Sequence, residues 1–167
     1  MTLRIVALND DHDLADFDSG TPQLDLWLRD HSRAARSQGT RTYVLVDDNH
    51  KVLGYFAIAP HLLRRDDAPG KLGRGAPREI PSILLAKLAL GQPLKGRGLG
   101  AELLVRALRT IVAVARIAGG KMIVVDAIDT NSAAFYRKHD FEPLPNRPER
   151  LVMKLSTTAR ALGEKWP

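Results

Sequence analysis

Two stretches of this chain carry residues whose types and spacing suit chemistry. From Leu94 to Leu104 the sequence reads LKGRGLGAELL, with glycines at positions 96, 98 and 100 running directly into residues that favour helix. A strand, a glycine-rich turn and a helix N-terminus together form an anion site, because free backbone N–H groups converge and the helix dipole favours negative charge. The missing side chains let a phosphate come close. Three alternating glycines also cost conformational entropy on folding, so a bound ligand is the expected compensation. Further along, NSAAFYRKHDFEPL places a phenol, Tyr136, beside Phe135 on a short helical segment.

Other chemistries fit less well. The run Gly96-Arg97-Gly98-Leu99-Gly100-Ala101 matches the permissive dinucleotide pattern G-x-G-x-x-A, but that pattern opens a doubly wound fold and too little chain follows it here. Gly91 and Gly96 mimic a nucleoside-triphosphate loop, yet Arg97 and Gly98 stand where Lys and a magnesium-binding hydroxyl are needed. There is no cysteine, and His12, His31, His50, His61 and His139 are too scattered for a ligand set, so no metal is expected. Each histidine is expected at the surface or in a cap. Lys and Arg number 25 against 19 acidic residues, a formal charge of +6 that suits an anionic partner or simply a soluble basic protein.

The elements that must position these residues follow from periodicity. Leu3 to Leu8 reads as a strand. The stretch SGTPQLDLWLRDHSRAARSQG reads as a helix capped by Thr21, with Pro22 in its first turn and Gly39 at its end. Its inner stripe is Leu24, Trp27, Leu28, His31, Ala34 and Ala35, which leaves Arg29, Arg33 and Arg36 to solvent. Thr42–Asp47 and Val52–Ala59 predict a hairpin. Four prolines and three glycines between Pro60 and Pro81 predict one long loop, of a length that binds something or is disordered. SILLAKLAL predicts a buried strand, and Gly98–Ala118 a long helix with Leu103, Leu104, Ala107, Leu108, Ile111 and Ala115 on its core face. Gly119 and Gly120 stop it. KMIVVDAI is a further strand, NSAAFYRKH a helix capped by Asn131 or Thr130, RLVMKL a last strand, and residues 155–167 a polar C-terminal tail. The sum is a single α/β domain over residues 1–167. No signal-peptide pattern and no membrane-length apolar run is present, which makes the cytoplasm the expected location.

The glycine run resembles the coenzyme signature of the GNAT superfamily of N-acetyltransferases: Gln or Arg, two residues, Gly, one residue, then Gly or Ala. Lys95 to Gly100 fits except at the first position, where Lys95 lacks the planar group. The second stretch is similar to the family's A-x-x-F-Y-x-x-x-G-F: Ala133 or Ala134, Phe135, Tyr136 and Phe141 match, and Asp140 replaces the glycine. Asp tolerates the left-handed conformation required there, so the turn is expected to survive. The resemblance implies the GNAT acyl-CoA N-acyltransferase fold, with a central mixed, mostly antiparallel sheet flanked by helices, and acetyl-CoA as cosubstrate. It implies that the loop from Lys95 through Gly96, Arg97, Gly98, Leu99, Gly100 and Ala101 grips the coenzyme diphosphate, that the backbone of Lys87, Leu88 and Ala89 holds the acetyl group, and that Leu90 also contacts the coenzyme. Asn131 and Phe135 would touch the coenzyme. Tyr136 would be the general acid that protonates the departing thiolate; the alternative for it is a core tyrosine with a bonded hydroxyl.

A narrower similarity covers nearly the whole chain. FDSGTPQLDLWL, SRAARSQGTRTYVLVD, VLGYFAIAP and LLAKLALGQPLKGRGLGAELL look like the acetyltransferase toxins of bacterial toxin–antitoxin pairs. That resemblance implies acetylation of the α-amino group of aminoacyl-tRNA, a block to translation, restraint by a ribbon-helix-helix antitoxin, and a homodimer. An α-amino group titrates near 7.7–8.0, well below lysine, so such an acceptor needs no strong base. Glu79 and Asp126 lie near the relevant elements but read as surface residues. A tRNA track would draw on Arg33, Arg36, Arg41, Arg64, Arg65, Arg74, Arg78, Arg137 and Lys138, with Arg147 and Arg150. Two other functions stay open on sequence: an acetyltransferase for a small amine or a protein amine, and a non-catalytic acyl-CoA-binding or interaction module.

Overall fold

The computed structural model describes residues 2–167. Contacts divide them into two compact units, one comprising the chain up to Ala59 with Ala86–Leu108, the other Pro60–Leu85 with Arg109–Pro167. The strands are β1 (Arg4–Ala7), β2 (Arg41–Val46), β3 (Val52–Arg64), β4 (Glu79–Leu90), β5 (Met122–Asp126), β6 (Glu142–Leu144) and β7 (Arg147–Lys154). Their order is β1-β2-β3-β4-β5-β7-β6. The β4–β5 pair is parallel, whereas β1–β2, β2–β3, β5–β7 and β6–β7 are antiparallel, in line with the mixed, mostly antiparallel sheet that the sequence implied.

In the first unit the β2–β3 hairpin turns where the Asp47 carboxylate accepts the N–H groups of Asn49 and Lys51 at 2.9 and 3.0 Å. Val44, Val46 and Tyr55 on the strands bury against Leu24 and Leu28 of α1 (Pro22–Asp30). The single helix expected there is broken at His31, and α2 (Ser32–Ala35) follows. His31 and Ala34 are therefore exposed, and Ser32 points inward, its hydroxyl donating to the Leu28 carbonyl at 2.6 Å. Thr21 stands at the N-cap of α1 without a side-chain cap bond. The buried Asp25 carboxylate instead reaches back to the Ser19 N–H and hydroxyl, at 3.0 and 2.6 Å.

The second unit corrects the expected loop between Pro60 and Pro81. β3 continues through Pro60 and β4 already includes Pro81, so only residues 65–78 lie outside strands. Proline keeps an extended backbone and is excluded from a strand only where its nitrogen must donate. The connection contains α3 (Gly70–Gly73) and is packed: Leu63, Ala68, Ala76 and Ile80 bury with Met122, Val124, Leu144 and Val152. Arg65 ties it internally, its guanidinium donating to the Ala76 carbonyl at 3.0 Å.

α4 (Leu99–Ala118) buries all six residues of its expected core face, and Gly119 and Gly120 end it at positive φ. α5 (Thr130–Lys138) is capped by Asp129, not by Asn131 or Thr130, which fall inside its first turn. Asp129 accepts the Ser132 N–H at 2.7 Å while the Ser132 hydroxyl accepts the Asp129 N–H at 3.2 Å, a reciprocal box. Asp140 adopts φ 73°, the left-handed turn expected of it, and Phe141 beyond it is buried. Part of the expected polar tail is the helix α6 (Leu155–Ala161), which buries Leu155, Thr158 and Ala159 at the i, i+3, i+4 spacing of an amphipathic face. Among the described residues no helix is long and apolar enough to cross a membrane.

The cap assignment is checked by urea unfolding. Asp129→Ala should lower stability by about 1 kcal/mol at unchanged m-value, whereas Asn131→Ala should stay within about 0.5 kcal/mol of the parent.

Candidate functional site

In the first unit the glycine run is held at several points. The Gly91 N–H donates to the Leu53 carbonyl and the Gln92 N–H to the Asp18 carbonyl, both at 2.8 Å. The Lys95 ammonium donates to the carbonyl of Ser19, the residue that Asp25 fixes. The approach of β3, β4 and α4 depends on Gly54: a Cβ there would lie 3.2 Å from the Ala89 carbonyl oxygen and 3.5 Å from the Leu103 side chain. Ala89 is buried between half-buried Leu88 and Leu90, and the Lys87 ammonium lies over the Trp27 ring at 5.6 Å.

Within the run, Gly96 and Gly98 take φ of 79° and 73°, which favours glycine on backbone grounds. Gly100 has no such need. A Cβ at any of the three would meet nothing within 4 Å beyond its chain neighbours and, for Gly100, its own helix backbone, so the space before them is open. The first N–H groups of a helix have no acceptor within it, and α4 begins at Leu99, which makes Leu99, Gly100 and Ala101 donors beside exposed Arg97. Open approach, unpaired helix-start donors and a positive helix end fit a diphosphate.

The second unit holds Asn131, Phe135 and Tyr136 on α5, with Asn131 exposed and Phe135 half-buried. The Tyr136 ring packs edge-on against Phe135 and Phe141, with centroids 5.4 and 5.6 Å away. The residue is only 7% exposed. Its hydroxyl has no hydrogen-bond partner among the described residues, and it is not among the sealed, unpartnered polar atoms either. Tyr55 shows the contrast, for its hydroxyl donates to the Leu24 carbonyl at 2.7 Å. Burial pushes the Tyr136 phenol well above its ordinary value, so the proton stays on the oxygen at neutral pH.

Arg150 organises a cluster that the sequence did not disclose. Its Nε and Nη2 each donate to one oxygen of Asp126 at 2.7 Å, and its Nη1 lies 3.0 Å from His61 Nε2. The hydrogen bonds from Arg150 hold the Asp126 carboxyl below the usual range. Burial first, and the Arg150 charge second, push His61 down, which leaves a neutral ring accepting from the guanidinium. His61 is thus a half-buried partner of Arg150 rather than a cap, and Asp126 is held in an ion pair. Asp126 and Arg150 are cross-strand neighbours of β5 and β7. Positions so far apart in the chain meet only through strand order, which no local signal records.

The basic candidates divide by unit. In the first, Arg33 and Arg41 donate to backbone carbonyls, while the Arg36 guanidinium has no partner among the described residues. In the second, Arg65 is tied to Ala76, and Arg64, Arg74, Arg78, Arg137 and Lys138 are exposed. Arg64, Arg147 and Arg150 line a cavity of about 360 Å³. No cluster of three metal-ligating side chains occurs among the described residues.

No family model matches the chain. It is 38% identical, over 94% of its length and 95% of the relative's, to the tRNA-acetylating toxin of Mycobacterium tuberculosis strain H37Rv. Among solved structures it resembles AtaT complexed with acetyl-methionyl-tRNAfMet, at 28% identity and a TM-score of 0.86, covering 96% of this chain and 99% of that one. It also resembles a mutant AtaT toxin bound to the C-terminus of the antitoxin AtaR and acetyl-CoA, at 27% identity and a TM-score of 0.81, covering 97% and 99%.

The Arg150 cluster predicts a pH dependence of stability. His61 has its folded value below the ordinary 6.5, so its contribution is complete above pH 6.5 and is lost as pH falls; Asp126, lowered from 3.8, adds a loss at more acid pH. Urea unfolding of His61→Gln, which keeps an acceptor for Arg150, should show a flatter decline just below pH 6.5 and an unchanged acid limb.

Proposed function

This chain belongs to the tRNA-acetylating toxins, and from that membership we propose how its residues divide the work. The protein is an acetyl-CoA-dependent N-acetyltransferase of GNAT type whose acceptor is the α-amino group of aminoacyl-tRNA. Once acetylated, that nitrogen shares its lone pair with a carbonyl and no longer attacks a peptidyl ester, so translation stops.

Bound acetyl-CoA supplies the activated acetyl thioester. The backbone donors from Arg97 to Ala101 hold its diphosphate, and the backbone of Lys87, Leu88 and Ala89 orients the acetyl oxygen, an arrangement worth several kcal/mol in oxyanion sites of this kind. Attack by the neutral amine forms the C–N bond and breaks the C–S bond. The proton lost by nitrogen goes to water, and the sulfur takes the Tyr136 phenolic proton, which solvent restores. The observation that supports Tyr136 in this role is its protonated hydroxyl, unbonded on an otherwise buried ring. Asp126 is held by Arg150, and an amine that titrates near 7.7–8.0 does without a strong base. An antitoxin of ribbon-helix-helix type, a homodimer and a cytoplasmic location complete the proposal.

The test offers labelled acetyl-CoA to charged tRNA, uncharged tRNA, free amino acids and a lysine-rich protein. Label on charged tRNA alone is expected, and label on the amino acids or the protein would discard the acceptor. Tyr136→Phe should slow transfer by about 100-fold or more while coenzyme affinity holds; full activity in that variant would remove Tyr136 from the mechanism.

A further inference from the structure

A cavity of about 340 Å³ in the first unit is lined by Asn9, Ser32, Arg33, Arg36, Arg41 and Thr42 among others. Its charge is one-sided, with three guanidinium groups and the single carboxylate of Asp10. Two of the arginines are fixed from behind: Arg33 donates to the Asn9 and His12 carbonyls at 3.2 and 2.5 Å, and Arg41 to the Arg36 carbonyl at 3.0 Å. Arg36 itself keeps an unengaged guanidinium among the described residues.

Thr42 supplies an independent observation. Alternation along β2 places it on the face of Val44 and Val46, which pack on α1, so its side chain points to the helical side where Ser32 and Arg33 line the cavity. The residue is 8% exposed, and its Oγ1 is the one buried side-chain polar atom without a hydrogen-bond partner among the described residues. Ser32 beside it has its bond to Leu28. Buried polar atoms in native proteins are nearly always partnered, so an orphan against a cationic cavity points to a partner that arrives with a ligand.

We propose that this cavity seats one nucleotide unit of the tRNA, with the phosphodiester against Arg36 and Arg41 and the Thr42 hydroxyl bonded to a ribose or phosphate oxygen. The assignment rests on the tRNA reading above. A ribose phosphate brings an anion and neutral hydroxyls within one small unit, matching a cationic rim around one deep hydroxyl. A peptide carboxylate matches the arginines alone.

The test titrates fluorescently labelled uncharged tRNA, which requires no acetyl transfer. Arg36→Ala should weaken binding about tenfold at low salt and lower the slope of log affinity against log salt by about one. Thr42→Val keeps the shape and removes the orphan hydroxyl, so it should raise Tm and yet weaken tRNA binding severalfold; a purely structural threonine would raise Tm alone. Both variants binding tRNA like the parent would overturn the proposal, as would loss of an antitoxin peptide with tRNA binding kept. Parent protein that labels charged tRNA while both variants bind it normally would discard the cavity and leave the enzymatic function. Lost tRNA binding in the variants, with no labelling by the parent, would support the cavity and discard the acceptor assignment.

Discussion

The turn after β4 is held by carbonyls from segments distant in sequence: Leu53 receives the Gly91 N–H, Asp18 the Gln92 N–H, and Ser19 the Lys95 ammonium. The last of these would be a weak anchor if Ser19 could move. It cannot move freely, because the buried Asp25 carboxylate takes both its N–H and its hydroxyl. A charged group buried on α1 thus fixes the position of a loop more than sixty residues later in the chain. Gly54 makes the same arrangement possible from below, by letting the Ala89 carbonyl and Leu103 come within contact of β3. With the loop fixed, the space before its glycines stays open, and Gly100 is required neither by its backbone nor by its neighbours.

Two tyrosines of similar burial illustrate how context decides whether a hydroxyl is engaged. Tyr55 stacks on Trp27, meets Phe17 edge-on and spends its hydroxyl on the Leu24 carbonyl, and so behaves as a core residue. Tyr136 has equally aromatic surroundings but leaves its hydroxyl unspent. Asp126 makes the opposite point. A carboxylate at the end of a strand invites a role as base, but the paired bonds from Arg150 keep it ionised and occupied.

What the sequence made legible were features that one short segment decides. The core face of α4 followed from helical spacing, the stops at Gly119 and Gly120 and the left-handed Asp140 followed from backbone preference, and the hairpin from alternation about an Asp-Asp-Asn turn. Features decided by partners were illegible. Pro60 and Pro81 read as loop because proline is a local signal, whereas strand continuation is settled by burial of Leu63 and Ile80 against strands elsewhere in the chain. Asp129, Thr130 and Asn131 are all competent caps, and only the reach of Ser132 selects the first. The contact of His61 with Arg150 and the orphaned Thr42 hydroxyl have no sequence signature, since each exists only once the surrounding elements have packed.

The anchored glycine turn also bears on time. A loop that must order itself around a ligand adds a conformational step after collision, visible as a second phase in rapid mixing and as slowed capture. Here Gly91, Gln92 and Lys95 are already tied to the protein's own carbonyls, so the entry to the turn is set when the chain folds. On the proposed role of this turn, a diphosphate would meet a base already shaped for it, and residence time, not arrival, would be the quantity that mutations around the loop adjust.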